Sequence, residues 1–123
     1  MSTIVGRFRK NIIKLLNLTI EDGTPIYIGE INRNHMKSRH PYEYDKYYEE
    51  ITNILDCPDY VGINPHDNSV MYVKEFEEAG EHIRVGVKVS SGGTHFARTL
   101  HLLSSCNAEK YIEKGTLIRV DKS

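Results

Sequence analysis

The sequence predicts an α+β fold, with N-terminal helices packed on one face of an antiparallel β-sheet meander. Two observations carry this expectation. Up to Cys57 the apolar residues recur at steps of three and four, and from Pro58 onward they recur at steps of two. The period-two runs are also separated by short segments rich in Gly, Asn and Pro, the chemistry of hairpin turns. Helices first and strands second is the α+β pattern. No repeat, low-complexity tract or linker divides the 123 residues. One domain over 1–123 is therefore expected, helical over about 1–57 and sheet-forming over about 58–123.

The elements follow in order. Ile4, Val5, Phe8, Ile12, Leu15 and Leu16 recur at helical steps and predict a short amphipathic helix from Ile4 to Leu16. Glu21 to Pro25 reads as a turn and Ile26 to Ile28 as a strand. Ile31 to Arg39 reads as a polar helix, stopped by Pro41 because the residue before a proline avoids helical backbone. Tyr44, Tyr47, Tyr48, Ile51, Ile54 and Leu55 then form one apolar stripe, which predicts the clearest helix. Because these tyrosines follow the stripe, they read as core and not as a platform for stacking bases. Tyr60–Ile63, Val70–Phe76, Ile83–Val89 and Thr94–Leu103 read as strands. Ile83, Val85, Val87 and Val89 make a dry face expected to pack on the tyrosine stripe, with His82, Arg84 and Lys88 opposite. A last helix, Ala108 to Glu113, stops at Gly115, and Leu117 to Val120 adds an edge strand.

Several function classes are excluded or disfavoured. No apolar run approaches the ~20 residues that cross a bilayer, and the first residues lack the layout of a secretion signal. No membrane partner and a cytoplasmic location are the resulting expectations. Cys57 and Cys106 stand alone, without zinc spacing, so no disulfide, no metal and no cofactor is expected. Signatures for nucleotide hydrolysis, dinucleotide chemistry and acyl transfer are missing as well. The formal net charge is -1, but its distribution is uneven. Residues 1–20 carry four basic side chains and no acidic ones, and residues 41–81 carry eleven acidic and two basic ones. An anionic partner is drawn toward the ends of the chain and repelled by its middle.

Two segments carry groups suited to acid–base work on phosphates. In Asn34 to Pro41, His35 and Arg39 lie four apart and share a helical face, while His40 lies further round, where it caps the helix end or interacts with its dipole. In Gly92 to His101, alternation places Thr94, Phe96, Arg98 and Leu100 on one face and His95, Ala97, Thr99 and His101 on the other. An arginine in line with Phe96 and Leu100 implies one of two things. Either that face is wet and holds an anion, or Arg98 pairs with an acidic side chain. RNA cleavage without metal needs proton-transfer groups and cations around the phosphate, which His, Arg, Lys and a hydroxyl supply.

These blocks resemble a known family. Ile26-Tyr27-Ile28, His35-Met36-Lys37 with Arg39-His40-Pro41, Pro58-Asp59-Tyr60-Val61-Gly62, Tyr72-Val73-Lys74-Glu75, Val85 to Ser90, and Phe96-Ala97-Arg98-Thr99-Leu100 occur in that order. Together they resemble the phage-associated branch of the barnase–EndoU–colicin–RelE-like (BECR) nucleases, from about Ile26 to Val120. The resemblance implies a metal-independent endoribonuclease, toxin-like or phage-associated. It implies His35 as general base or acid, Arg98 as phosphate clamp and Thr99 as phosphate donor, with Arg39, His40 and Lys88 as substrate-binding residues. RNA is the implied partner, with tRNA or ribosome-bound message as candidates because the near-neutral charge suits a selective enzyme. An antitoxin or another phage protein is the further candidate partner. The rival expectation is a non-catalytic RNA- or protein-binding module on the same fold.

Overall fold

The computed structural model describes residues 2–122. In chain order its elements are β1 (Thr3–Arg7), α1 (Lys10–Leu16), β2 (Pro25–Ile28), α2 (Glu30–Arg39), α3 (Pro41–Tyr47), a 3-10 turn (Tyr48–Glu50) and α4 (Ile51–Asp56). They continue with β3 (Tyr60–Ile63), β4 (Val70–Phe76), β5 (Glu81–Lys88), β6 (His95–Leu103), α5 (Ser105–Glu113) and β7 (Leu117–Arg119). All the strands join one sheet in the order β1-β2-β6-β5-β4-β3-β7. The expected meander is present as β3 to β6, each antiparallel to the next. The sheet as a whole is mixed, because β2 runs parallel to β6 through Ile26↔His95 and Tyr27↔Phe96.

Two expectations about the N-terminal part are corrected. The first half of the expected Ile4–Leu16 helix is strand β1, paired antiparallel with β2. Ile4, Phe8 and Ile12 recur at helical steps, but Phe8 and Ile12 reach the core from a turn and from α1. A helix there would also lose the tight seat of Gly6, whose missing Cβ would lie only 2.9 Å from Cδ1 of Leu55. The helix expected from the Tyr44 to Leu55 stripe is broken into α3, the 3-10 turn and α4. Its stripe still works: Tyr47, Ile51, Ile54 and Leu55 are buried together with Ile83, Val85 and Val87. Val89 does not join them and stands exposed beyond the end of β5.

The helices do not all lie on one face. Val70 and Tyr72 of β4 belong to the larger core with Ile12 of α1, Met36 of α2, Tyr47 of α3 and α4. Met71 and Val73, which alternate with them, pack with Ala108 of α5, Leu103 and Leu117 in a second cluster. Strand alternation puts these clusters on opposite faces. The second face is covered by α5 at β7 and at the end of β5 and β6 where Leu103 packs, while toward their other end Lys88 and Arg98 stand exposed. Beside β6, α2 and α3 lie where β2 has already ended. Glu81 fastens α3 there by accepting hydrogen bonds from the hydroxyls of Tyr42 and Tyr47 and from Lys46 Nζ at 3.2 Å. Burial first, and then Glu81, pushes the Tyr47 phenol up to about 12.

Candidate active site on the open sheet face

Arg84, Gly86 and Lys88 alternate with the buried Ile83, Val85 and Val87, so they share the open face. Their partners on β6 are His101, Thr99 and Phe96 in turn. Between them the register shifts: Gly86 opposes Thr99 while Val87 opposes Ala97, which leaves Arg98 as the extra residue of a β-bulge. Ala97 and Leu100 are both buried in the larger core although three residues apart. Arg98 and Thr99 therefore fall consecutively on the open side. This corrects the strict alternation expected for the strand, because a bulge resets which face each later residue meets. Leu100 turns inward, and Thr99 and His101 join Arg98. A Cβ on Gly86 would overlap the Thr99 hydroxyl, so the glycine is what lets that side chain cross.

At one end of this row lies an open groove of about 710 Å3, lined by Lys88, Phe96, Arg98, Thr94 and the start of α2 at Gly29 to Asn32. Asn32 closes the helix start by accepting the Gly29 N–H at 2.9 Å. Arg98 and Lys88 are exposed and, among the described residues, make no hydrogen bond or ion pair. Asp67, in the β3–β4 loop, is close enough to feel both Arg98 and Arg84. Its carboxyl is held low, first by the Ser69 hydroxyl and N–H and then, against some burial, by these two guanidinium groups. Arg98 is thus exposed to solvent, with Asp67 near but not hydrogen-bonded to it.

At the other end, Arg84 Nη2 lies 3.2 Å from His101 Nδ1. A guanidinium only donates, so Nδ1 accepts and the imidazole proton sits on Nε2. Burial lowers the His101 pKa first, and the charges of Arg84 and His40 lower it further against an opposing pull from Glu43. The His40 and His101 ring centroids are 4.6 Å apart. His40 Nδ1 lies 3.6 Å from Glu43 Oε2, and the same oxygen accepts the Leu102 N–H at 2.9 Å. Ligand atoms of His40, Glu43 and His101 lie within 4.8 Å of one another. With its Nδ1 occupied by Arg84 and its Nε2 protonated, His101 must give up the arginine before it can ligate an ion.

The other residues expected at the site are placed unevenly. Arg98, Thr99 and Lys88 share the open face, and His40 closes its far end. His35 stands exposed on α2, one helical turn after Ile31 and Asn32 of the groove, and no hydrogen bond joins it to Arg98. Arg39 is exposed at the end of α2. His95 faces the core instead: its Nδ1 accepts the Ser90 N–H at 3.1 Å and its ring meets Phe8 edge-on. Arg84, Glu43 and His101 escaped sequence reasoning. Arg84 is legible as outward-facing, but the unseen bulge turns His101 to the face opposite the expected one, and nothing in the sequence singles out Glu43.

The open sheet face thus carries a row of cations and histidines: Lys88, Arg98, Arg84 and His101. Residues 3–112 match the family model described as phage-Barnase-EndoU-ColicinE5/D-RelE like nuclease 3, and the chain belongs to that family of phage-type nucleases. Searches of the curated proteins and of the solved structures gave no match. Among the described residues no helix is long and apolar enough to cross a membrane.

Proposed function

We propose that the protein is a metal-independent endoribonuclease, phage-associated or toxin-like, that cleaves RNA by attack of the 2′-hydroxyl on the adjacent phosphate. The observation that carries this reading is the exposed pair Arg98 and Lys88, free of ion pairs and set beside Thr99 on the open face. Two such cations stabilise the extra charge of a phosphorane, and the hydroxyl donates to a phosphate oxygen. His35 transfers a proton from α2, and Arg39 and His40 bind substrate along the same side. The acidic stretch over 41–81 and a net charge of -1 favour a selective substrate, tRNA or ribosome-bound message, in the cytoplasm. An antitoxin or another phage protein is the proposed protein partner.

The experiment is cleavage of total RNA and of mixed tRNA by the purified protein in EDTA, with both new ends mapped. The expected products carry a 2′,3′-cyclic phosphate and a 5′-hydroxyl, and 2′-deoxy substitution at the scissile nucleotide blocks the reaction. EDTA-sensitive cleavage leaving 5′-phosphates would overturn the mechanism. A second reading, a non-catalytic RNA- or protein-binding module, is favoured by the lack of any hydrogen bond between His35 and Arg98. RNA binding without cleavage would select it.

A further inference from the structure

The far end of the open face holds more acid–base machinery than substrate binding needs. Glu43 is buried, yet its carboxylate is committed to two neighbours on the site side, the Leu102 N–H and the imidazole of His40. Burying a carboxylate is costly unless it is paired and hydrogen-bonded. The pairing fixes geometry: with His40 Nδ1 turned to Glu43, the ring's Nε2 is left free, the arrangement by which a carboxylate orients a histidine base and stabilises its imidazolium. His101 has the opposite arrangement. Arg84 occupies its Nδ1, so the ring is a neutral donor through Nε2–H, and burial first, then the guanidinium beside it, disfavours protonation. The groups facing His40 are thus Glu43 from α3, His101 from β6 and, through His101, Arg84 from β5.

We infer that His40, oriented by Glu43, is the general base of this site, and that His101, with Arg84 on its Nδ1, donates its Nε2–H to the phosphate. This rests on the ribonuclease reading and moves His40 from substrate binding to proton transfer. In the step, the bond from the 2′-oxygen to phosphorus forms as the bond from phosphorus to the 5′-oxygen breaks. The 2′-hydroxyl proton goes to His40 Nε2, and the departing 5′-oxygen takes a proton from the histidinium of His35. Glu43 touches no reacting atom and is a positioning residue.

Two measurements on the full chain test this. The first is the 15N spectrum of the histidine rings, which reports protonation at each nitrogen without any substrate. The expected result is a neutral His101 protonated on Nε2 and a neutral His40 protonated on Nδ1. A His40 proton on Nε2, or a His101 proton on Nδ1, would overturn the inference whatever the protein cleaves. The second is cleavage of mixed tRNA by His40→Ala and Glu43→Gln. His40→Ala is expected to lower kcat about 10²-fold or more with little change in KM. Glu43→Gln keeps an oxygen for the Leu102 N–H but removes the charge, so kcat is expected to fall about 10-fold. The acid limb of its pH profile should also move to lower pH, a shift that a purely structural role would not produce. Wild-type cleavage matched by His40→Ala would overturn the inference and leave the ribonuclease reading standing. A folded wild-type protein that cleaves no RNA would overturn the ribonuclease reading itself, and the proton-transfer assignment with it.

Discussion

The hydroxyl of Thr99 occupies the space that a Cβ at position 86 would need. Gly86 is buried at the centre of β5, and it pairs with Thr99 just where the bulge in β6 throws Arg98 and Thr99 to the same side. Gly86→Ala is therefore expected to displace Thr99 more than it disturbs the fold. Cleavage should fall by about 10-fold or more, because a misplaced catalytic group costs rate steeply. The melting temperature should drop only by the few degrees that correspond to about 1–2 kcal/mol. Thermal denaturation beside a tRNA cleavage assay separates the two effects.

Removing the unpaired cations tests the open face directly. Arg98→Ala is expected to lower kcat/KM by about 10²–10³-fold, as lost stabilisation of transition-state charge does. Lys88→Ala, in the same groove, should raise KM more than it lowers kcat. His35→Ala should reduce kcat by about 10²-fold. All three side chains are exposed, so circular dichroism and melting temperature should match the wild type. A fully active Arg98→Ala would show that the phosphate is held elsewhere.

Val87 tests the core. It is fully buried on the dry face of β5, in the cluster shared with Ile51 and Leu55. Val87→Asp places a carboxylate there without a partner and is expected to cost about 4 kcal/mol or more, enough to unfold the protein. Urea denaturation followed by far-ultraviolet circular dichroism measures this.

Stability should fall in mild acid. Burial lowers the His95 pKa below its ordinary 6.5, and the ring is neutral while its Nδ1 accepts the Ser90 N–H. As pH drops below about 6.5 the unfolded chain takes up a proton that the folded state refuses. Unfolding is then favoured increasingly until pH reaches the folded pKa. His95→Asn keeps an oxygen acceptor for Ser90 and does not titrate, so its stability should change less between pH 7 and 5. Urea midpoints at the two pH values provide the check.

Much of the sheet was legible because its strands are locally consistent. Val70 to Val73 is a continuous apolar run buried on both faces, Ile83, Val85 and Val87 alternate with Arg84 and Gly86, and both strands are bounded by turn residues. The beginning was not, since β1 depends on its partner β2, and a five-residue strand with Ile4 and Val5 mimics the start of a helix when followed by Phe8 and Ile12. Arg98, Thr99 and Lys88 were visible as residues, but their common face was not. It depends on a bulge whose cause, Thr99 crossing over Gly86, is a contact between strands. His101 and Glu43 were hidden for the same reason: their roles come from Arg84, His40 and the Leu102 backbone, partners remote in the chain or on other elements.

The parallel pairing of Ile26 with His95 sets a timetable for synthesis. A nascent chain can form the β3–β4 hairpin early, but β2 has no neighbour toward the sheet centre until β6 has left the ribosome. The row from Lys88 to His101 is completed in that same interval, since one of its two strands is β6. A chain interrupted before residue 95 holds neither the strand that β2 joins nor the side chains of Arg98, Thr99 and His101. The proposed site is thus absent from any nascent fragment that still lacks β6.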